Sequence, residues 1–449
     1  MNRLQRYFKI LLGLSLILLS VVRVRAQVTP SNNIISVDVS TMPQNTSFDY
    51  NACFALGKDL GMRSVGLHQS WTALEIAPNT FNFTILDIAN AYYPAYNMPI
   101  DLNIDPIETN VLEVPSDLKS VAFDNANFIK RFKTLLDSVK VHIPNASNIS
   151  SLVIGSEIDI YLGSNNQQWQ RYTTFYNAVA DYARTLWPGV KVAVELTYDG
   201  LSNFNTQAQT LNAKSDIIGV SHYPLNSNFK VKPVSAVEDV FSYVSKLYPS
   251  KPIYFYQFGY PSSKVCGSSE VMQRQFITQT FKSWDTYANN IKMVDFTWLH
   301  DLDTAAVRRN GQYYGIKDSS FLEFLRTLGL RTWNGNGQNK AAFFELQCEA
   351  KYRGFNKLPI LCTGGTNEKL SPEISIEIEP NPSSFQLNVK LDKPIIGADV
   401  LIYNSYGQLI NRQNLLTNTS FSIETSTYKS GVYWLVIANK DLRISKSFM

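Results

Sequence analysis

Histidine and cysteine are scarce in this 449-residue chain, with four of each. Neither the spacing of Cys53, Cys266, Cys348 and Cys362 nor that of the histidines and carboxylates matches a metal site, so no resident metal is expected. Charge is sparse as well. Only 17% of residues are charged, and the net charge of +4 is spread without a basic block, which leaves no footprint for nucleic acid. No G-x-G-x-x-G run follows the first strand-like segment, so a dinucleotide-binding fold is not expected, and no cofactor is called for. Beyond the N-terminus there is no long apolar run, which excludes a transmembrane anchor from the expectation.

What is present is apolar bulk. At 45% hydrophobic residues the chain can bury a large core, and its length suits one big domain with a small one. The first residues carry Arg3, Arg6 and Lys9, then "ILLGLSLILLSVV", then "VRA" before Gln27. A positive start, a short apolar run and small residues before the cut describe a signal peptide over 1–26, with export as its consequence. The competing reading is an anchor, but at about 1.5 Å per residue the run is short for a bilayer core of about 30 Å. In an exported protein four cysteines allow three disulfide pairings. Cys348 with Cys362 is the pairing expected, because a short loop closes between them, while Cys53 suits a buried thiol on a helix.

From about residue 33 to 353, short β-rich runs alternate with longer helical periodicities. The strand candidates are 34–40, 64–69, 99–105, 151–157, 190–196, 216–222, 252–257 and 293–299. Most are continuous apolar runs, as strands of a parallel sheet covered on both faces should be. In "WQRYTTFYNAVADYARTLW", Trp169, Tyr172, Tyr176, Val179, Ala183 and Leu186 recur at steps of three and four, which predicts a helix. Eight such units predict an α/β fold, the (βα)8 TIM barrel, over residues 27–356. A Gly/Pro/Lys-rich linker follows over 357–372. Strand pairs broken by "PNP", "SYG" and "NKD" then predict a small all-β, immunoglobulin-like sandwich over 373–449.

A (βα)8 barrel carries its chemistry at the C-terminal ends of its strands. Strand four ends on Ser156, Glu157 and Asp159. Strand six ends on His222 and Tyr223, and strand seven on Gln257 followed by Tyr260. Strand eight ends on Trp298, His300 and Asp301, strand five on Glu195, and strand two leads to His68, Trp71 and Glu75. Aromatic rings and acids at one rim suit a sugar cleft, with flat apolar faces for pyranose rings and carboxyls for the glycosidic oxygen. Trp71, Glu75, Ser156, Glu195, His222, Tyr223, Tyr260, Trp298, His300 and Asp301 are therefore the candidate glycan contacts. Each also has a structural reading, as barrel-mouth packing, hydrogen-bonded scaffold or ion pair.

These segments resemble the (βα)8 retaining glycoside hydrolases. "SLVIGSEID" is similar to their fourth-strand motif, which implies that Glu157 is the acid/base. "DIIGVSHYPL" resembles their sixth strand, and "PIYFYQFGYPSS" their seventh-strand motif, whose glutamate is the nucleophile. Here Gln257 stands in that glutamate's place, and Ser156 where an asparagine is usual. An amide has the shape of a carboxylate but is a very poor nucleophile and cannot offset an oxocarbenium charge. Three explanations follow: a degenerate hydrolase that binds glycans, a route assisted by the substrate's own N-acetyl group, or another acid, with Glu195, Glu75 and Asp301 as candidates. The last 75 or so residues, with "IEPNPSS", "LIYNSYGQLI" and "YKSGVYWLVIANKDLRISKSFM", resemble the type A sorting domain of the type IX secretion system of Bacteroidota. That implies an outer-membrane secretion partner and a secreted or cell-surface protein. A small carbohydrate-binding or adhesive sandwich is the alternative.

Overall fold

The structure, a computed structural model, describes residues 33–356, 362, 376–404, 409–415, 418–438 and 443–449. The signal peptide expected over 1–26 lies outside the described residues, as does all of the expected linker except residue 362. The chain divides into two compact units, 1–356 and 357–449.

In the first unit eight parallel strands alternate with helices: β1 (Ile34–Val37), β2 (Val65–Ser70), β3 (Ile100–Glu108), β4 (Ile149–Ser156), β5 in two pieces (Val192–Ala193 and Glu195–Thr197), β6 (Ile218–His222), β7 (Ile253–Phe258) and β8 (Ile291–Phe296). Ladders join β2 to β3, β4 and the first piece of β5, and the second piece to β6, β7, β8 and β1. The ring closes between β1 and β2 through the parallel bridge of Ile35 with Met62. This is the TIM barrel, and each of the eight expected strands falls on one of its staves.

The helices owe their places to caps and an apolar stripe. The helix α4 (Asn166–Leu186; α1 to α3 are Tyr50–Asp59, Thr84–Tyr92 and Ala126–His142) begins where the Asn165 side chain accepts from the amides of Gln167 and Gln168. Such a cap is worth about 1 kcal/mol. Trp169, Tyr172, Tyr176, Val179 and Ala183 of α4 are buried against the barrel, as the periodicity predicts.

The barrel axis is more polar than the apolar strand runs suggest. Ser36 donates to Asp295 at 3.0 Å, Ser151 to Asp101 at 2.6 Å, and the Tyr256 hydroxyl to Ser151 at 3.0 Å. Gly219 makes room for that tyrosine, since a Cβ there would lie 2.7 Å from the Val194 carbonyl oxygen and 3.0 Å from the Tyr256 ring. Apolar residues of opposite parity, among them Ile100, Leu102, Ile104, Leu152 and Ile154, face the helices in the main core.

The second unit holds two antiparallel sheets. One orders β9 (Ile376–Glu379), β10 (Gln386–Leu391) and β13 (Ser420–Glu424). The other orders β12 (Leu409–Leu415), β11 (Ala398–Asn404), β14 (Tyr433–Ala438) and β15 (Arg443–Phe448). Strict alternation along β10 buries Leu387, Val389 and Leu391 in a core shared with Val400, Leu435 and Ile437. Period-two patterning of this kind makes a sandwich-like domain. Cys348 and Cys362 are disulfide-bonded, while Cys53 and Cys266 are free and buried.

Candidate active site

Strand β4 ends abruptly. Gly155 takes φ +85°, where a Cβ would lie 2.4 Å from the Tyr172 hydroxyl, and Glu157 itself takes φ 48°. A non-glycine residue in the left-handed region costs on the order of 1–3 kcal/mol and persists only where its surroundings hold it. Here they do. The Ser221 hydroxyl donates to Glu157 Oε1 at 2.6 Å and the Thr109 hydroxyl to Oε2 at 2.7 Å. Glu157 is half-buried and so keeps an open side.

Gln257 stands on β7, beside β6. Its Cα pairs in register with that of Ser221 across β6 and β7, so Glu157 and Gln257 flank the same serine. The Tyr223 hydroxyl donates to Gln257 Oε1 at 3.0 Å, and Nε2 donates to Ser156 Oγ at 3.2 Å and Glu195 Oε2 at 3.5 Å. Ser156 in turn donates to the same Glu195 oxygen at 2.8 Å. This chain of bonds fixes which way the amide faces. Glu195 is fully buried, and burial first, then the charge of Glu157, pushes its carboxyl up to about 8. It lies behind the site, without exposed surface from which to attack a sugar.

Strand β3 adds groups that the strand-end reading passes over. It runs through Pro106 to Glu108, with a register shift against β4 before Glu108, whose Cα then pairs with Ser156. The Tyr313 hydroxyl lies 2.9 Å from Glu108 Oε2 and 2.7 Å from Glu113 Oε1, and the Tyr314 hydroxyl lies 3.3 Å from Glu108 Oε1. Thr72 donates to the other Glu113 oxygen. His68 Nδ1 is 4.0 Å from Asp105 Oδ2. Burial first, then Glu108, Glu195 and Glu113, holds the Asp105 carboxyl well above its ordinary range.

Of the residues read from the sequence, Glu157, Gln257, Ser156, Glu195 and Tyr223 come together. Trp298 is half-buried against the cluster of Cys266, Phe321, Phe324, Leu325 and Leu328. The others serve the scaffold. Trp71 is fully buried edge-on between Phe128 and Phe132, and its indole donates to Glu75 at 2.9 Å. Glu75, 1% exposed, also accepts from the Asn79 amide and from Arg131. Tyr260 is stacked on Phe276, and its hydroxyl donates to the Lys232 carbonyl. His222 is buried between Tyr198 and Phe258, because strand parity turns Ser221 and not His222 toward Glu157. His300 is enclosed by the Thr41 carbonyl and the Arg331 guanidinium, and Asp301 is paired with Lys340 at 2.7 Å. Asp159 accepts from the Thr197 amide and hydroxyl. Glu75 and Asp301 thus drop out as replacement acids.

Among the described residues no group of three or more His, Cys, Asp or Glu side chains is arranged to hold a metal ion, and no helix is long and apolar enough to cross a membrane.

Residues 377–449 match the family described as Secretion system C-terminal sorting domain. That match implies a secreted or cell-surface protein. No curated protein matches the sequence. Among solved structures, GH5_18 from Streptomyces cattleya in complex with GlcNAc is similar over 73% of this chain and 82% of its own, with TM-score 0.56 and 14% identity. The exo-β-1,4-mannosidase Op5Man5 from Opitutaceae bacterium strain TAV5 is similar over 72% of this chain and 60% of its own, with TM-score 0.55 and 12% identity. β-Glucuronidase 2 of Bacteroides uniformis is similar over 93% of this chain but 45% of its own, with TM-score 0.51 and 11% identity. The chain spans about half the length of the β-glucuronidases it resembles. At such identities the likeness is one of fold, the TIM barrel.

Proposed function

We propose that this is an exported protein whose barrel mouth engages a polysaccharide or oligosaccharide around an O-glycosidic linkage, with Glu157 as the acid/base group and Gln257 in the nucleophile's place. The observation that carries the reading is the placement of Glu157 and Gln257 on either side of Ser221 at the C-terminal end of the barrel, with Tyr223 fixing the amide. The sugar-directed names of the structural neighbours agree with a glycan ligand. Residues 1–26 would serve the inner membrane and 373–449 the type IX machinery at the outer one.

Double displacement through position 257 is chemically closed, because an amide held between Tyr223 and Ser156 offers no anion to the anomeric carbon. The same amide favours a second reading, a cell-surface pseudo-glycosidase that binds glycan without turnover. The test is titration of a glycan panel into the full chain, beside Gln257→Leu and Glu157→Gln. Binding that falls at least tenfold in Gln257→Leu is expected. Wild-type binding that is indifferent to both substitutions would remove the ligand from the mouth.

A further inference from the structure

This inference rests on the glycan reading and concerns the second carboxyl that the amide at position 257 leaves wanting. We infer that Glu108 is the proton donor of the mouth, with Glu157 as its partner base.

The two carboxyls belong to one site. Glu108 is register-paired with Ser156, the residue before Glu157, and its chain neighbour Thr109 holds Glu157 Oε2. Their hydrogen bonds set them to opposite tasks. Each Glu157 oxygen accepts a hydroxyl proton, from Ser221 and from Thr109, so this carboxyl is arranged as an acceptor. Glu108 lies in a row of three oxygens, its own Oε2, the Tyr313 hydroxyl and Glu113 Oε1, spaced 2.9 and 2.7 Å. A phenol carries one proton and can bridge only one of those contacts as donor, so the row needs a second proton on one of its carboxyls.

Glu108 is where that proton belongs. The charged groups facing it are Asp105 on its own strand, Glu113 on the following hairpin and Glu157 on β4, all acidic, with the phenols of Tyr313 and Tyr314 against it from the helix Thr304–Tyr314. Burial above all, then Glu113 and Glu157, against the two tyrosine hydrogen bonds, raises its carboxyl above the ordinary range.

The step balances. The Glu108 proton passes to the glycosidic oxygen as the bond from that oxygen to the anomeric carbon breaks, its electron pair staying with the oxygen. Water bonds to the anomeric carbon and gives a proton to Glu157, leaving an alcohol and a hemiacetal. Glu108 ends ionised and Glu157 protonated, and exchange with solvent resets both.

The test uses the full chain with methyl and 2,4-dinitrophenyl β-glycosides of glucose, mannose, N-acetylglucosamine and glucuronic acid. A dinitrophenolate leaves without a proton, so Glu108→Gln should lose about 10²-fold or more on the methyl glycoside and about tenfold or less on the aryl one. Glu157→Gln should lose both, and Tyr313→Phe, which keeps Glu108 but removes the hydroxyl bonded to it, should shift the alkaline limb of the kcat/KM profile. Equal losses on both substrates in Glu108→Gln, or an unmoved limb in Tyr313→Phe, would reduce Glu108 to a structural latch and overturn the inference. Wild-type binding without any turnover would overturn it too while leaving the glycan reading intact, whereas absence of binding would sink both.

Discussion

Thr109 and Glu157 face each other from adjacent strands, both in the left-handed region at φ 54° and 48°, joined by a hydrogen bond of 2.7 Å. Two strained residues thus hold one another at the mouth. Strain kept in this way is a store that stabilising substitutions release at the expense of function. Thr109→Gly should raise the melting temperature or leave it unchanged, since glycine adopts that φ freely, while the lost hydroxyl lowers glycan affinity several-fold. Thr109→Ser should keep both. Paired thermal melts and titrations check this, and an affinity unchanged in Thr109→Gly would separate the bond from function.

Glu75 tests the scaffold role assigned to it. It closes a buried cluster of the Trp71 indole, the Asn79 amide and the Arg131 guanidinium. Removing one partner of a buried ion pair costs about 3–5 kcal/mol, chiefly through the charge left behind. Glu75→Ala should lose about that much in chemical denaturation, yet bind glycan as wild type at temperatures where it is folded. Reduced affinity in the folded variant would return Glu75 to the site.

The apolar strand runs made the barrel legible, because a parallel sheet covered on both faces buries nearly every side chain. The site was legible only where the strand end coincided with the residue that turns inward. Glu157 and Gln257 meet that condition. His222 does not, since a step of one residue along a strand reverses its face and gives Ser221 the inward place. Glu108 escaped notice for a different reason. Pro106 reads as the end of a strand, but the ladder shifts register there and a proline is tolerated at such an irregularity, so β3 continues to Glu108. Tyr313 and Tyr314 reach the site from the helix after β8, and no local pattern announces a contact about two hundred residues distant.

The buried histidines set the acid side of stability. Burial first, then Lys232, pushes His222 down to about 3, from an ordinary value near 6.5, and burial with Arg331 pushes His300 down to about 4. A depressed histidine stays neutral in the fold while the unfolded chain takes up a proton. Stability is therefore lost as pH falls from about 6.5 toward the folded value, by up to about 1.4 kcal/mol per pH unit for each group. His222→Phe, which suits the aromatic contacts with Tyr198 and Phe258, should make stability fall less steeply between pH 6.5 and 4, by up to about 1.4 kcal/mol per pH unit. Denaturant midpoints across that range measure it, and an unchanged slope would show that His222 is not neutral in the fold.

Glu195 contributes to the opposite limb and is hydrogen-bonded to the amide at position 257. Its carboxyl is raised to about 8, so the fold keeps a proton that the unfolded chain gives up near its ordinary value, and stability falls as pH rises between the two, on the order of 1 kcal/mol per pH unit. Gln257 Nε2 donates to the same Glu195 oxygen that Ser156 holds. Gln257→Glu replaces that donor by a second acid beside Glu195 and within the field of Glu157, so it should destabilise the protein, more at pH 8 than at pH 5. Glu195→Gln alone should flatten the falling limb. Combining the two exchanges acid and amide across one contact, leaving a single carboxyl and a single amide facing each other. The double variant should therefore recover most of what Gln257→Glu loses, with a coupling of about 1–3 kcal/mol in a double-mutant cycle run at both pH values. Additive losses would mean that the amide answers to the ligand alone and not to Glu195.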